Sequence, residues 1–385
     1  VYDSNQRMLL DSVTELGCEP IARGVVPDNE RLLDAAIAPL LSGPDEVDVV
    51  LLSGGTSKGE GDINATMVHS LATRSPDSPG VVVHGVALKP GKPILLAVID
   101  GTPIVVLPGY PTSAVFTFHE FVAPLLRRLA GLSAGDVRTV RAVAPMRITS
   151  VPGRTEYTLV DLVNGESGMV VYPLGSGSGS VTAFARADGF IRIPANHEYV
   201  EEGTEVEVRL IDPDLRPADL VAIGSHCIGL DEVLGLVAAE GFRVKSIPVG
   251  STAGLAALAR GEGDVAGIHL LDEDTGEYHT PFLSEEVRLV RGYGRRQGIV
   301  FRPDDPLADV FDDDQAFLAK LSERRMINRN PGSGTRILID GMLAGSRPDG
   351  YLHQARTHHA VAAAVEQGRA DWGMTLDTIA ARAGL

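Results

Sequence analysis

The chain has 385 residues, of which 44 % are apolar and 22 % charged, and its formal net charge is -17. Size and composition are those of a soluble globular protein with two or three domains. The acidic balance argues against nucleic-acid binding, which needs a basic surface, and no apolar run reaches the roughly 18 residues of a membrane span. The chain also shows no signal-peptide layout and only two distant cysteines, Cys18 and Cys227. We therefore expect a cytoplasmic protein without nucleic-acid or membrane partners.

Residues 1–134 alternate predicted helices and strands. Apolar positions predict a helix that ends at Gly17, and a second helix is expected to begin at Asp28 or Asn29. The apolar run at 47–52 predicts a strand buried on both faces. Further strands are predicted at 94–98 and 104–107, and a long amphipathic helix at 112–129. This alternation indicates an α/β domain with a mostly parallel sheet, whose ligands lie beyond the carboxyl ends of the strands.

Three loops of this first domain contain the residues that we expect to bind an anion. Two of them hold three of the chain's five lysines among glycines, and compact ammonium groups beside exposed N–H groups suit phosphate. The third loop opens a helix, where free N–H groups favour anions. The first loop contributes Ser53, Gly54, Gly55, Thr56, Ser57 and Lys58, and the second contributes Lys89 and Lys92. The third contributes Pro108, Gly109, Tyr110, Pro111 and Ser113.

Residues 135–212 change to a β-rich pattern. Segments 138–148, 156–163 and 205–211 alternate or are β-branched, with single glycines between them. This pattern predicts a small all-β barrel or sandwich. We interpret PLGSGSGS at 173–180 as a loop inside this domain rather than a linker, because β-like sequence continues on both sides.

Residues 217–385 follow a short linker and alternate strands and helices again, which predicts a two-lobed α/β domain. Turns with Ser or Thr open three predicted helices, and such helix starts hold oxyanions through N–H and hydroxyl donors. The same turns could be simple helix caps. His358 and His359 are expected on the surface rather than as a metal pair, because neighbouring helical residues point about 100° apart. The candidate oxyanion ligands are Ser225, Ser251, Thr252, Arg329, Ser333 and Thr335.

The first 212 residues resemble the C-terminal half of the molybdopterin molybdenumtransferase (MoeA) family, which includes the gephyrin E domain. The resemblance rests on YDSN, VVPDNE, SGGTSKGEGD, LKPGKP, LPGYPTSAVFTF and PLGSGSGSVTAFARADGFIRIP, which occur in the family's order and approximate spacing. It implies a MogA-like fold for residues 1–134 followed by the family's small β domain. Residues 217–385 resemble a type II periplasmic-binding-protein domain, most clearly at NRNPGSGTR, residues 328–336.

The resemblance implies an enzyme of molybdenum cofactor biosynthesis. Such an enzyme takes adenylylated molybdopterin and molybdate, places molybdenum on the dithiolene and releases AMP, with Mg²⁺ supporting the reaction. By motif match Asp28 and Asp62 correspond to acidic active-site residues, and Lys89 and Lys92 to the lysines of the KPGKP loop. The last domain would bind molybdate or tungstate. Because part of the family's active site comes from N-terminal domains of a dimer partner, we expect a homodimer, and we expect this chain to be an incomplete fragment truncated in its last domain.

Several alternatives stay open at this point. Asp62 could bind Mg²⁺ through one carboxylate or only cap the following helix, and Asp28 likewise lies at a good helix start. The first loop's glycines could serve turns alone, and the lysines could be solvated. Tyr110 stands where the family usually has Asn, so the amide's donor–acceptor pair is lost there. A non-catalytic protein that senses pterin and molybdate is the main alternative, and a MogA-like adenylyltransferase is disfavoured by the β domain.

Overall fold

The computed structural model describes residues 3–43, 46–55, 63–133, 138–174, 181–212, 214–272, 275–290, 292–310, 312–331, 333–355 and 357–385. The chain divides into two compact units. The first unit comprises Val1–Ile223, Cys227–Pro248 and Arg260–Val265, and the second comprises Gly224–His226, Val249–Ala259 and Ala266–Leu385. Within the described ranges no helix is both long and apolar enough to cross a membrane.

The first unit begins with an α/β domain. Its helices are α1 (Ser4–Glu15), α2 (Glu30–Leu41), α3 (Ile63–Arg74), α4 (Pro111–Thr117) and α5 (Ala123–Leu129), with a π-helical stretch at Phe118–Val122 between the last two. Its strands are β1 (Val50–Ser53), β2 (Gly80–His84), β3 (Leu88–Lys89), β4 (Leu95–Ile99) and β5 (Thr102–Leu107). Asp3 caps α1, and of the two residues considered for α2 it is Asn29 whose side chain caps the helix. The predicted α/β class is confirmed.

The sheet of this domain is mixed, which corrects the expectation of a mostly parallel one. Its order is β1-β5-β4-β2, in which β1 and β5 are parallel and the other two pairings are antiparallel. Asp100 and Gly101 have φ of 50° and 85°, so they form the tight turn of a hairpin between β4 and β5. Apolar clusters cover both faces of the sheet, which explains why its strands are continuous apolar runs.

A closed β-barrel follows. Its strands are β6 (Thr139–Val143), β8 (Thr155–Gly165), β9 (Gly168–Pro173), β10 (Gly189–Ile193) and β12 (Glu205–Leu210). In the same part of the chain β7 (Ile148–Thr149) and β11 (Tyr199–Val200) form a separate two-stranded sheet, and α6 (Val181–Arg186) lies between β9 and β10. The order β10-β12-β6-β9-β8 closes because β8 also pairs with β10. Strand β3 of the first domain adds to this sheet in parallel beside β8. The sequence predicted either a barrel or a sandwich, and the structure is a barrel.

Strands β13 (Leu220–Gly224) and β14 (Val244–Pro248) form a two-stranded sheet, and α7 (Ile228–Ala239) connects them. In the first unit this region is joined to the barrel by buried charges. Lys245 Nζ lies 3.4 Å from Asp161 and also binds Asp188. Nearby the hydroxyl of Tyr172 donates to Glu262, which is 3 % exposed. These buried polar contacts fasten the start of the predicted binding domain to the barrel.

The main sheet of the second unit begins at Gln297. After α8 (Ser251–Ala259) come β15 (Gln297–Phe301), α9 (Asp314–Ser322), β16 (Met326–Arg329), α10 (Gly334–Leu343), β17 (Gln354–Ala355), α11 (His358–Glu366), β18 (Trp372–Leu376) and α12 (Asp377–Arg382). The order is β15-β18-β16-β17, with β15 antiparallel to β18. Within the predicted alternation we also expect strands at 264–271 and 287–290, but neither forms: the first segment makes only isolated bridges, and the second has no regular secondary structure. Trp372 is fully buried and donates its indole N–H to Leu321 O at 3.0 Å.

Candidate functional site

The first candidate site lies where β1 and β5 end. These strands are parallel, and Ser53 lies opposite Leu107, so the loops that follow leave the same edge of the sheet. The N–H of Gly54 donates to Leu107 O at 2.9 Å. A Cβ at Gly109 would lie 3.4 Å from Gly54 Cα, which shows how closely the two loops approach. The structure thus brings the first and third predicted loops together.

Asn5 joins these two loops, although sequence reasoning did not single it out as a site residue. Its Nδ2 donates to Ser53 Oγ at 2.8 Å and to Gly109 O at 3.0 Å, and the residue is 5 % exposed. The available signal was its place in the YDSN segment, which was used only for the resemblance. One amide group therefore sets the spacing between the two strand-end loops.

Gly55 cannot be replaced without rearranging the first loop. Its φ is +62°, and a Cβ there would lie 2.9 Å from Asn64 Nδ2. That same amide donates to Gly54 O at 2.9 Å and so ties the start of the loop to α3. Thr56, Ser57, Lys58 and Asp62 lie outside the described residues, and their assignment stays a prediction.

The third loop presents Tyr110 to solvent and turns Ser113 inward. Tyr110 is 64 % exposed and directly precedes Pro111, the first residue of α4. Ser113 is 4 % exposed, and its carbonyl accepts the Thr117 hydroxyl at 2.7 Å. Pro108 directly follows β5 and is buried, and Gly109 comes next and is exposed. Among the predicted residues of this loop, Tyr110 is therefore the exposed side chain available to a ligand, and Ser113 is part of the helix packing.

The second predicted loop, which carries Lys89 and Lys92 and is called the lysine loop below, differs from Asp28 in how its side chains are held. Lys89 Nζ lies 2.9 Å from Glu156 Oε1 of the barrel, whereas Lys92 is exposed. Asp28 is exposed beside the cap Asn29, and it takes no part in the contacts that join the strand-end loops. No group of three or more His, Cys, Asp or Glu within the described ranges is arranged to hold a metal ion.

The second candidate site surrounds residues 267–269 of the second unit. The N–H of Ser225 donates to Gly267 O at 2.7 Å, and Ser251 Oγ accepts the N–H of His269 at 2.9 Å. A Cβ at Gly334 would lie 2.8 Å from His269 Nδ1. The three Ser/Thr-bearing turns predicted at separate helix starts thus meet one short segment. Thr252 is exposed in the first turn of α8.

Arg329 is the buried cation of this second site. It is 8 % exposed, and its Nε donates to Ala355 O at 3.2 Å. Its Nη1 lies 3.5 Å from Thr335 Oγ1, and the Thr335 hydroxyl donates to Gln297 Oε1 at 2.6 Å. Burial lowers the pKa of Arg329 from its ordinary value, yet a guanidinium stays protonated near neutral pH. Ser333 is the N-cap residue of α10, but its side chain makes no capping hydrogen bond in the described structure.

Two histidines complete this cluster, and neither was predicted to belong to it. Arg329 Nη1 lies 3.1 Å from His358 Nε2, so His358 is not the surface residue that we expected, whereas His359 is exposed. Burial, and then the charge of Arg329, lower the pKa of His358 to about 3. Burial also lowers the pKa of His269, with Arg295 and His279 contributing. Both imidazoles are therefore neutral near pH 7 in the free protein.

Three segments of the chain are similar to known protein families, and their bounds follow the α/β domain, the barrel and the second unit. Residues 1–128 match the family model of a probable molybdopterin binding domain, and residues 141–211 match that of the MoeA C-terminal region (domain IV). Residues 235–385 match that of the PBP superfamily domain. The resemblances drawn from the motifs are thus confirmed: three separate segments of the chain match these three family models.

Individual relatives match the first half of the chain. A protein of Methanocaldococcus jannaschii named for molybdopterin biosynthesis is 31 % identical over 212 residues, which are 55 % of this chain and 48 % of that protein. The molybdopterin molybdenumtransferase of Haemophilus influenzae is 28 % identical over 211 residues, 54 % of this chain and 50 % of the enzyme. The solved molybdopterin biosynthesis MoeA protein of Pyrococcus horikoshii shows 39 % identity and a TM-score of 0.44, covering 55 % of this chain and 49 % of that one. The chain spans about half the length of the curated relatives it matches.

Proposed function

We propose that this chain supplies the nucleotide- and pterin-binding part of a molybdenum-insertion enzyme. The reaction is transfer of molybdenum from molybdate to the dithiolene of adenylylated molybdopterin, with release of AMP. The observation that carries the proposal is the meeting of the Ser53 and Gly109 loops through Asn5, at the sheet edge where the family motifs fall. Relatives named molybdopterin molybdenumtransferase support the reaction class.

The roles of the site residues follow from their chemistry. Ser53, Gly54 and Gly55 allow close backbone approach to a phosphate, and Lys58 adds a cation beside them. The exposed Lys92 and the paired Lys89 offset charge that develops on phosphate or molybdate oxygens. Asp62 holds Mg²⁺, which supplies charge neutralisation when it is bound. The partner protomer of a homodimer completes the site.

Binding of AMP to the full chain, measured by calorimetry, tests this proposal. We expect saturable binding that is lost in a Lys89→Ala, Lys92→Ala double variant. Unchanged affinity in that variant would remove the lysine loop from the site. A cofactor-reconstitution assay with upstream family domains present separates the enzyme from a sensing protein, because a sensor would bind AMP without forming molybdenum cofactor. The attached barrel argues against a MogA-like adenylyltransferase.

A second function is supported by the cluster around residues 267–269. We propose that the second unit binds a tetrahedral oxyanion, molybdate or tungstate, at Ser225, Ser251, Thr252, Arg329, Ser333 and Thr335. The supporting observation is the contact of three helix-opening turns with one segment, beside the buried cation Arg329. Helix N-termini and hydroxyl donors stabilise a dianion, and a buried arginine supplies full charge. A rise in melting temperature with molybdate or tungstate, but not with chloride at equal ionic strength, tests it.

A further inference from the structure

The lysine loop is built so that Lys89, but not Lys92, is held by another domain. Lys89 Nζ lies 2.9 Å from Glu156 Oε1, and the two side chains are 36 % and 6 % exposed. Lys92 is exposed. Burying a carboxylate is costly unless it is paired. The buried Glu156 carboxylate is paired with the ammonium of Lys89, which belongs to the candidate anion site.

Glu156 is itself fixed from the opposite side. Its Oε2 accepts hydrogen bonds from Ser150 Oγ at 3.1 Å and from Val151 N at 2.9 Å, which leaves Oε1 to Lys89. The backbones are paired as well, because Lys89 of β3 lies opposite Glu156 of β8 in parallel register. The carboxylate therefore has one orientation, and that orientation is transmitted to the ammonium.

The loop backbone beside Lys89 is equally constrained. Gly91 has a φ of +113°, and a Cβ there would lie 2.4 Å from Thr117 Cγ2. The N–H of Val86 donates to Lys92 O at 2.9 Å and closes the loop at its base. These contacts hold the loop backbone but not the long Lys89 side chain. The ion pair with Glu156 is what orders that side chain.

We propose that Glu156 is a positioning residue that orients Lys89 toward the phosphate of a nucleotide bound at the strand-end loops. An ammonium has three N–H donors, so pairing with Glu156 leaves two for an anion. Because the side chain is ordered before the ligand arrives, binding does not have to remove its rotamer freedom. The inference rests on the nucleotide-binding function proposed above. It makes the barrel part of the binding site rather than only a support for it.

The experiment is a double-mutant cycle on AMP affinity in the full chain, with Glu156→Gln, Lys89→Ala and both changes together. We expect Glu156→Gln to weaken AMP binding between about threefold and tenfold, and to cause no further loss once Lys89 is alanine. Glu201→Gln is the matched control, because Glu201 is also a barrel carboxylate in an ion pair, with Arg147 at 3.1 Å. It should leave the affinity unchanged.

Several outcomes would overturn the inference. Equal losses from Glu156→Gln with lysine and with alanine at position 89 would mean that Glu156 acts on the fold and not through Lys89. Tighter AMP binding in Glu156→Gln would mean that the carboxylate competes with the ligand for the ammonium. If Glu156→Gln does not fold, Ser150→Ala loosens the carboxylate without removing its charge, and an unchanged AMP affinity there refutes positioning. If Lys89→Ala and Lys92→Ala both leave AMP binding intact, the lysine loop does not belong to the nucleotide site and this inference falls; if the unaltered chain binds no AMP, the proposed nucleotide site itself fails.

Discussion

Asn5 donates its amide to the hydroxyl of Ser53 at 2.8 Å, and this contact ties the first turn of α1 to the end of β1. The same amide reaches Gly109 O at 3.0 Å. A residue near the start of the described chain thus controls the distance between two loops that follow it by 48 and 104 positions. Both loops belong to the candidate nucleotide site, so their spacing bears directly on ligand affinity.

Replacing Asn5 should therefore affect stability and binding together. Asn5→Ala removes the hydrogen bonds from its amide to Ser53 Oγ and Gly109 O, each of which contributes about 0.5–1.5 kcal/mol to the free energy of unfolding. Asn5→Asp should be worse, because a carboxylate oxygen would then face that carbonyl. Thermal melting and AMP calorimetry measure the two effects. Arg7→Ala, on the exposed side of the same helix, is the control, and an Asn5→Ala protein that behaves like it would contradict the bridging role.

Asp62→Asn distinguishes the two roles left open for Asp62. Asparagine caps a helix about as well as aspartate but lacks the charge that Mg²⁺ prefers. We expect an unchanged melting temperature together with the loss of most molybdenum insertion, in a reconstitution assay that contains the upstream family domains. A variant with full activity would show that Asp62 only caps α3, and one with a lowered melting temperature would show that its charge is structural.

Ser333→Ala combined with Thr335→Val tests the oxyanion site of the second unit. Loss of the Ser333 hydroxyl should weaken molybdate binding by roughly 1.5–3 kcal/mol. Thr335→Val also removes the hydrogen bond from the Thr335 hydroxyl to Gln297, so the melting temperature without ligand is measured for each variant first. Ser333→Ala alone should leave the fold intact, because its hydroxyl makes no capping bond in the described structure. The measurement is titration with molybdate, tungstate and sulfate followed by melting temperature. Ser322→Ala, at the exposed end of α9, serves as the control, and equal ligand shifts in both proteins would exclude the Ser333 turn.

Asp161 should make the stability of the first unit depend on pH. Its burial outweighs the attraction of Lys245 and raises the pKa from 3.8 to about 6, with Asp188 raising it further and Arg186 lowering it. Between pH 3.8 and about 6 the folded protein keeps a proton that the unfolded chain has released. The contribution of Asp161 to the free energy of unfolding is therefore present at low pH and lost as the pH rises through 6. A shift of the pKa from 3.8 to about 6 corresponds to about 3 kcal/mol.

Asp161→Asn should remove this dependence. Relative to wild type, the variant should gain melting temperature between about pH 4 and pH 7, because the wild-type protein must ionise a buried carboxyl there while asparagine stays neutral. Exposed Asp214, which pairs with Arg138 at 3.6 Å, offers Asp214→Asn as a control with no such trend. A constant difference between Asp161→Asn and wild type across this range would show that Asp161 keeps an ordinary pKa.

Much of the local structure could be predicted from the sequence. The helices at 4–15, 30–41 and 228–239 and the buried strands at 50–53 and 102–107 carry periodic or continuous apolar patterns, and these patterns depend only on neighbouring residues. The strands Met326–Arg329 and Trp372–Leu376 were missed. Trp372–Leu376 is buried along its whole length, so it lacks the alternation that marks a half-exposed strand. The strand expected at 287–290 fails because no partner strand lies beside it among the described residues.

The sequence by itself determined which family models its segments match, and it predicted the loops proposed to carry their chemistry, because motifs of glycines, lysines and helix-starting serines depend on neighbouring residues. Only the tertiary structure decided which of these groups share a site. Glu156 reaches Lys89 because β3 joins the barrel beside β8, and His269 reaches both Ser251 and Gly334 because separate turns converge on one segment. Contacts between residues so far apart in the chain depend on how strands pair and helices pack, and no local pattern encodes that pairing.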